Sequence, residues 1–234
     1  MTDQPIFEAE YVERRSRLTT FFRYFLIIPH LIVLFFWGIA GAFALIAAWF
    51  ALLFTGRYPQ GLYDFLAGLL RYTTAVYGYS ALLTDQYPPF SGDTDDYPVR
   101  LRVPPPKPEY DRLKVLLRIF LVIPVALIAY AMRVLWYVGS FIAWFAIVIL
   151  GKQPKGLQDM TALGLSYDMR ALAYMLLITE DWPPFMEPQD AALAGAHSGS
   201  GLPPAPAPAT QAPPTAPEAP RGRTGLSDGD PLDR

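Results

Sequence analysis

The chain has 234 residues, 53% hydrophobic and 15% aromatic, with a mean hydropathy of +0.24 and a formal charge of −2. Only 17% are charged, against roughly 25% in soluble domains, which argues against an ordinary soluble domain. The near-neutral balance offers no basic surface for nucleic acid, and the lack of cysteine excludes disulfides, thiolate metal sites and cysteine nucleophiles.

The first 17 residues, MTDQPIFEAEYVERRSR, mix charges and lack a short apolar core with a small-residue cleavage site, so no secretory signal is expected. Within them PIFEAEYV (5–12) reads as a brief extended segment with Glu8 and Glu10 on one face. An apolar run follows, in which Phe25 to Phe54 contains His30 but no Asp, Glu, Lys or Arg. Runs longer than about 18 apolar residues are membrane-spanning candidates. The turn GRYPQGLYD comes next, then a helical stretch over 61–83, which closes in ALLTDQYPPF (81–90).

The order then repeats. PVRLRV (98–103) alternates Val99, Leu101 and Val103 with Arg100 and Arg102, a strand period. Opposed charges favour pairing it with the first prelude as a small juxtamembrane ribbon, and two solvated linkers are the alternative. A second apolar run, Ile119 to Leu150, is interrupted by Arg133 alone, then come GKQPKGLQD, a helical stretch over 156–178, and LLITEDWPPF (176–185). Sliding the sequence by 95 residues aligns 16–91 with 111–186 without a gap, and 25 of the 76 pairs are identical. The chain is therefore a tandem duplication. The expected units are a first membrane module at 1–95, a second at 96–186, and a Pro/Ala-rich cytoplasmic tail at 187–234. The tail holds six acids and three bases, which leaves the rest near +1. With almost nothing to bury, it is expected to be disordered.

Each module offers about 34 apolar residues, which as one helix would run about 51 Å against a hydrocarbon core of about 30 Å. A hairpin of two short helices fits that thickness, turning near Trp37–Gly41 and Met132–Trp136 and placing Arg133 at an aqueous tip. The stretches 61–83 and 156–178 are then amphipathic interfacial helices, the second too charged (Asp159, Asp168, Arg170) for an easy span. Basic clusters Arg14, Arg15, Arg17 and Arg112, Lys114, Arg118 precede the two runs, and both belong in the cytoplasm by the positive-inside rule. The expected fold is thus an all-α integral membrane protein of two hairpin-plus-interfacial-helix modules, with four spans and both termini cytoplasmic. One long tilted helix per module, with 61–83 as a second span, is the alternative.

The segments FFRYFLIIPHLIVL, AWFALLFTGRYPQGLYDF and LLTDQYPPFSG resemble the bacterial membrane family catalogued as domain of unknown function 4389. The second copy matches more loosely, keeping IVILGKQPKGLQD and ITEDWPPF and losing the Arg71-Tyr72 pair, with Ser166-Tyr167 in its place. The resemblance implies a bacterial inner-membrane protein and brings no activity, cofactor or catalytic residue.

The duplication helps weigh candidate sites, because a feature of one copy alone is unlike a purpose shared by both. His30 faces Val125 in the second copy and reads as packing or an interfacial hydrogen bond. Pro29 and Pro124 are expected to kink their helices. The shared turn is the main polar feature. Gly56 and Gly151 suit a left-handed helix end, Pro59, Gly61, Pro154 and Gly156 punctuate the turn, and Asp64 and Asp159 suit the first turn of the next helix. A second reading of the turn makes Arg57, Lys152 and Lys155 contacts for lipid head groups. Thr84, Pro88 and Pro89, with Thr179, Pro183 and Pro184, form the repeated phrase, which reads as the closing clasp of a module.

No catalytic triad, phosphate loop or paired-histidine motif stands out, so an enzyme has the least support. No cofactor is expected. The expected partners are the lipid bilayer and an unknown membrane protein or a second copy. The best-supported role is a non-catalytic scaffold or assembly partner, with a small-solute or ion transporter or channel formed by the two modules as the alternative.

Overall fold

The computed structural model describes residues 4–12, 14–92, 94 and 96–185, so the expected tail at 187–234 lies outside the described residues. The elements in chain order are β1 (Ile6–Ala9), α1 (Arg17–Leu26), α2 (Ile28–Thr55), α3 (Gln60–Ser80), β2 (Val99–Arg102), α4 (Arg112–Leu150) and α5 (Lys155–Met175). The two preludes do form an antiparallel ribbon, pairing Ile6 with Arg102, Phe7 with Leu101, Glu8 with Arg100 and Ala9 with Val99. Glu8 binds Arg100 Nε at 2.6 Å and Arg102 Nε at 2.9 Å, the cross-strand complementarity that the sequence suggested.

The apolar runs correct the hairpin expectation. α4 is one helix of 39 residues, about 58 Å long at 1.5 Å per residue. α1 and α2 together form its counterpart, interrupted only at Ile27. Neither Trp37–Gly41 nor Met132–Trp136 turns, and the four-span count that rested on hairpins loses its basis. The small residues there allow close packing instead. A β-carbon on Gly41 would lie 2.6 Å from Leu69 of α3, and one on Gly139 would lie 2.5 Å from Thr161 of α5. The prolines also behave differently from each other. Helix α2 has Pro29 in its first turn, where a missing N–H costs nothing, just after the break. Pro124 lies inside α4, which continues through it.

Arg133 is not at a tip either. It forms a two-pronged pair with Asp168 of α5, Nε to Oδ2 at 2.9 Å and Nη2 to Oδ1 at 2.8 Å, and Trp136 Nε1 donates to the same carboxylate. The charge expected at an aqueous tip is neutralised from the neighbouring helix instead.

α3 and α5 are the core of the molecule, not interfacial helices with a free face. Tyr72, Ala75, Val76 and Tyr79 of α3 and Leu165, Tyr167, Met169 and Ala171 of α5 are fully buried. On α3, Leu69 and Tyr72 meet α2, through Gly41 and Trp37. Gly78 and Tyr63, on the opposite face by helical spacing, meet Val99 and Pro104 of the ribbon strand and its extension. The order through this part of the molecule is long helix, core helix, ribbon.

The two long rods run antiparallel. Trp49 Nε1 donates to Val115 O and Trp144 Nε1 donates to Thr20 O, so the end of each rod lies beside the start of the other. The two bonds are equivalent under the 95-residue offset, Trp49 matching Trp144 and Thr20 matching Val115, as are the ribbon pairs Ile6–Arg102 and Phe7–Leu101, which defines a pseudo-twofold axis perpendicular to the rods and through the ribbon. Replacing Arg133 with Met would leave the Asp168 carboxylate, 1% exposed, facing only an indole N–H, and a loss of about 3–5 kcal/mol is expected. Adding Asp168→Asn should recover most of that stability. Thermal unfolding in detergent would decide, and equal stability of the single and double variants would show that the pair is not coupled.

Candidate functional site

The repeated phrase and the repeated turn meet at the two ends of the antiparallel pair. α2 ends at Gly56 with φ 71° and α4 at Gly151 with φ 73°, the left-handed conformation that glycine adopts without penalty. Each freed carbonyl is taken by the other copy's prelude. Tyr110 N donates to Gly56 O at 2.8 Å and Arg15 N donates to Gly151 O at 3.3 Å. Pro59 and Pro154 then stand as the residues before α3 and α5, in extended backbone. Gly61 and Gly156 have open space around them.

Asp64 and Asp159 were expected in the first turn of those helices and lie one turn further in. There Asp64 accepts from Gln60 Nε2 and Asp159 from Lys155 Nζ, both at 2.8 Å, because the helices start at residues 60 and 155. Of the basic residues of the turn, Arg57 and Lys152 are exposed. Lys155 is held by Asp159 and lies 5.9 Å from the Tyr11 ring, and the hydrogen bond to Asp159 raises its pKa. The three do not converge. Arg57 belongs to the α2 end, while Lys152 and Lys155 belong to the α4 end.

The phrase itself turns inward. Leu82 and Leu177 both adopt positive φ, 61° and 63°, just past the ends of α3 and α5. Thr84 Oγ1 then accepts from Gln86 N and Thr179 Oγ1 from Asp181 N, matching turns in both copies. The acid that follows anchors the start of its own module's long rod. Asp85 Oδ2 accepts from Ser16 N at 2.9 Å and Glu180 Oε1 from Asp111 N at 2.7 Å. Ser16 and Asp111 in turn cap α1 and α4. Pro88 and Pro183 are buried, while Pro89 and Pro184 are half-buried. Phe90 stacks on His30 and Phe185 on Tyr167, and His30 Nδ1 is 2.6 Å from the Tyr72 hydroxyl.

Sequence reasoning gave Arg23 no role and placed Arg15 and Arg118 in the basic clusters, whereas all three are buried beneath these turns. Arg23 donates from Nη1 to Tyr79 O at 2.6 Å and to Thr84 O at 2.7 Å, and from Nη2 to Asp85 Oδ1 at 2.5 Å. It also lies over the Tyr79 ring at 4.4 Å. Arg118 donates to Tyr174 O at 2.9 Å and lies 4.0 Å from the Tyr174 ring. Their signal was the exact 95-residue spacing of two arginines inside apolar surroundings. Arg15 reaches Leu83 O at 2.7 Å and Gln158 Oε1 at 3.2 Å. Burial lowers its pKa, and the Asp85 charge opposes the shift. Tyr110 takes the matching place in the second copy, donating to Ile178 O, while Tyr58 donates to Leu176 O. Burial pushes both phenols up, so they act as neutral donors.

The two clasps pair their acids differently. Asp85 pairs with Arg23, but Glu180 turns to Lys107 Nζ at 3.1 Å and leaves Arg118 without a carboxylate among the described residues. Beside Arg118, between α2, α4 and α5, is an apolar cavity of about 260 Å³. Among the described residues no group of three or more His, Asp or Glu side chains could hold a metal ion.

The family model described as Domain of unknown function (DUF4389) matches twice, over residues 17–92 and 112–187. The chain belongs to this family. Each match spans one long rod, one core helix and one clasp, so the family's unit is the module and two copies make this molecule. No curated protein and no solved structure gives a match.

The clasp acids should differ in weight despite their equivalence. Asp85→Ala strands Arg23, whose side chain is 2% exposed, and about 3 kcal/mol or more should be lost. Glu180→Ala removes one contact from a lysine already 23% exposed and the acceptor of one backbone N–H, so about 1.5 kcal/mol is expected. Parallel unfolding curves would show the order, and the reverse order would contradict the assigned roles.

Proposed function

We propose that the protein is a non-catalytic integral membrane protein, a scaffold or assembly partner in a bacterial inner membrane. The carrying observation is the outer face of the two rods. Phe21, Phe25, Phe35, Phe36, Phe43 and Phe54 on one, and Phe120, Leu127, Tyr130, Phe141 and Ile149 on the other, are all exposed. Only 17% and 22% of the most apolar stretches of the rods are buried within the molecule, whereas the core helix of a soluble protein would be mostly covered. Apolar surface on this scale needs lipid or a partner to cover it.

The reading includes an orientation in which the pseudo-twofold axis stands along the bilayer normal and the rods lie in the apolar layer near its surface. Three observations support it. A rod of about 58 Å is nearly twice the hydrocarbon thickness. The ion-paired ribbon packs on the side of α3 away from α2. Finally, the two basic clusters start antiparallel rods, so rods that crossed the bilayer would put one cluster on each side. Lying flat, both face the cytoplasm as the positive-inside rule requires. Gln4 Nε2 donates to Trp182 O at 3.3 Å, which joins the two ends of the described chain and fits termini on one side.

The cysteine-free background allows a direct test. Arg57→Cys and Lys152→Cys mark the far ends of the two rods, and both should react with an impermeant thiol reagent from the cytoplasmic side only. Labelling from opposite sides would overturn the orientation. Release of the protein by alkaline carbonate would overturn membrane embedding, and solute-selective flux in proteoliposomes would overturn the scaffold role.

A further inference from the structure

The two copies provide an internal control for a site in only one of them. Arg23 and Arg118 are equivalent, and both are almost wholly enclosed, at 2% and 3% exposure. Arg23 has a carboxylate, two carbonyls and an aromatic face. Arg118 has one carbonyl and an aromatic face, and the Nε atoms of both arginines are buried without an acceptor. The acid that would complete it, Glu180, is already bound by Lys107 Nζ and Asp111 N. A buried guanidinium with no carboxylate bonded to it is costly, and its planar array of donors matches a carboxylate or a phosphate.

The space beside Arg118 says what else that anion must carry. The cavity of about 260 Å³ is lined by Leu45, Trp49, Val122, Met175 and Leu177 as well as Arg118, so Arg118 is its one charged wall. A small hydrated anion would leave these apolar walls against water, whereas an alkyl chain would cover them. Leu45 also lines a second apolar cavity of about 350 Å³, with Leu34, Ala42, Leu69 and Leu176, which extends along α2 towards α3. In the other copy Ser140 stands at the position of Leu45 and donates to Ala81 O.

We infer that the Arg118 cavity binds an anionic amphiphile, its carboxylate or phosphate on the guanidinium and its alkyl chain between α2 and α4. The site builds on the membrane reading above, because a lipid phase is where such a molecule is abundant. With the rods lying near the bilayer surface, Arg118, in the second turn of α4, is at a depth where an acidic head group meets its chain. Membrane phospholipid and free fatty acid share the required chemistry.

Native mass spectrometry of the delipidated full chain in detergent tests this with four probes: oleate, dioleoyl phosphatidylglycerol, oleyl alcohol and inorganic phosphate. One equivalent of oleate or of phosphatidylglycerol should bind, and whichever does identifies the source. Oleyl alcohol should bind about tenfold more weakly, the worth of a charged hydrogen bond. Arg118→Gln should cause a similar loss. Val122→Trp, which fills the cavity while keeping the Arg118–Tyr174 contact, should abolish binding. Phe36→Trp, on the exposed face, should change nothing. Equal binding of oleate and oleyl alcohol, binding of phosphate alone, no saturable binding, or retention by Val122→Trp would each overturn the inference. A chain that washes off membranes yet holds oleate in a Val122-dependent way would defeat the membrane reading and leave this site standing. An embedded chain that takes up no anion would do the opposite.

Discussion

The exchange of helix ends between the two copies holds the rest of the molecule in place. A long apolar helix ends in carbonyls that have no partner of their own, and burying them unpaired is costly. Here Gly56 turns the end of α2 so that its carbonyl receives Tyr110 N, and Gly151 does the same for α4 and Arg15 N. Each donor stands just before the other copy's rod. The exchange therefore fixes where the second rod starts relative to the end of the first, and the antiparallel arrangement follows. Neither module can close its own rod, which gives a physical reason for two copies in one chain.

Within that frame the clasp ties each rod to its own core helix. The positive φ of Leu82 and Leu177 turns the chain back across the rod's first turns. The carbonyls of the turn then face Arg23 or Arg118, and the following acid reaches the backbone of Ser16 or Asp111. Non-glycine residues in this region carry strain of roughly 1–3 kcal/mol. The strain is offset because the same turn satisfies a buried cation and the helix start together.

Duplication also lets one copy depart from the shared plan. His30 with Tyr72 and Phe90 fills the place that Val125, Tyr167 and Phe185 fill in the second copy. The Arg133–Asp168 pair has no counterpart in the first, where Gly38 and Thr73 stand at those positions. The ion pair holds α4 to α5, and the smaller side chains leave room beside α2, where Gly38 and Thr73 line the larger apolar cavity. Equal backbones thus support unequal interiors.

The sequence by itself determined the duplication and the helix ends at Gly56 and Gly151, and it offered the pairing of the two preludes beside the alternative of two solvated linkers. Each is a local property: a fixed offset between identities, a glycine after an apolar run, or alternation with complementary charge. Tertiary structure decided whether the apolar runs turned, because that depended on what faced them. Gly41 looks like a turn residue in a line of sequence and is a contact point once α3 lies across it, and the expected turn at Met132–Trp136 is where Gly164 of α5 packs. Arg133 looks like the edge of a membrane until Asp168, 35 residues later, supplies its partner. The repeated phrase reads in the sequence only as the close of a module. Its threonines and acids instead point inward, because the arginines and helix starts that need them are brought there only by the return of α3 and α5 along the rods.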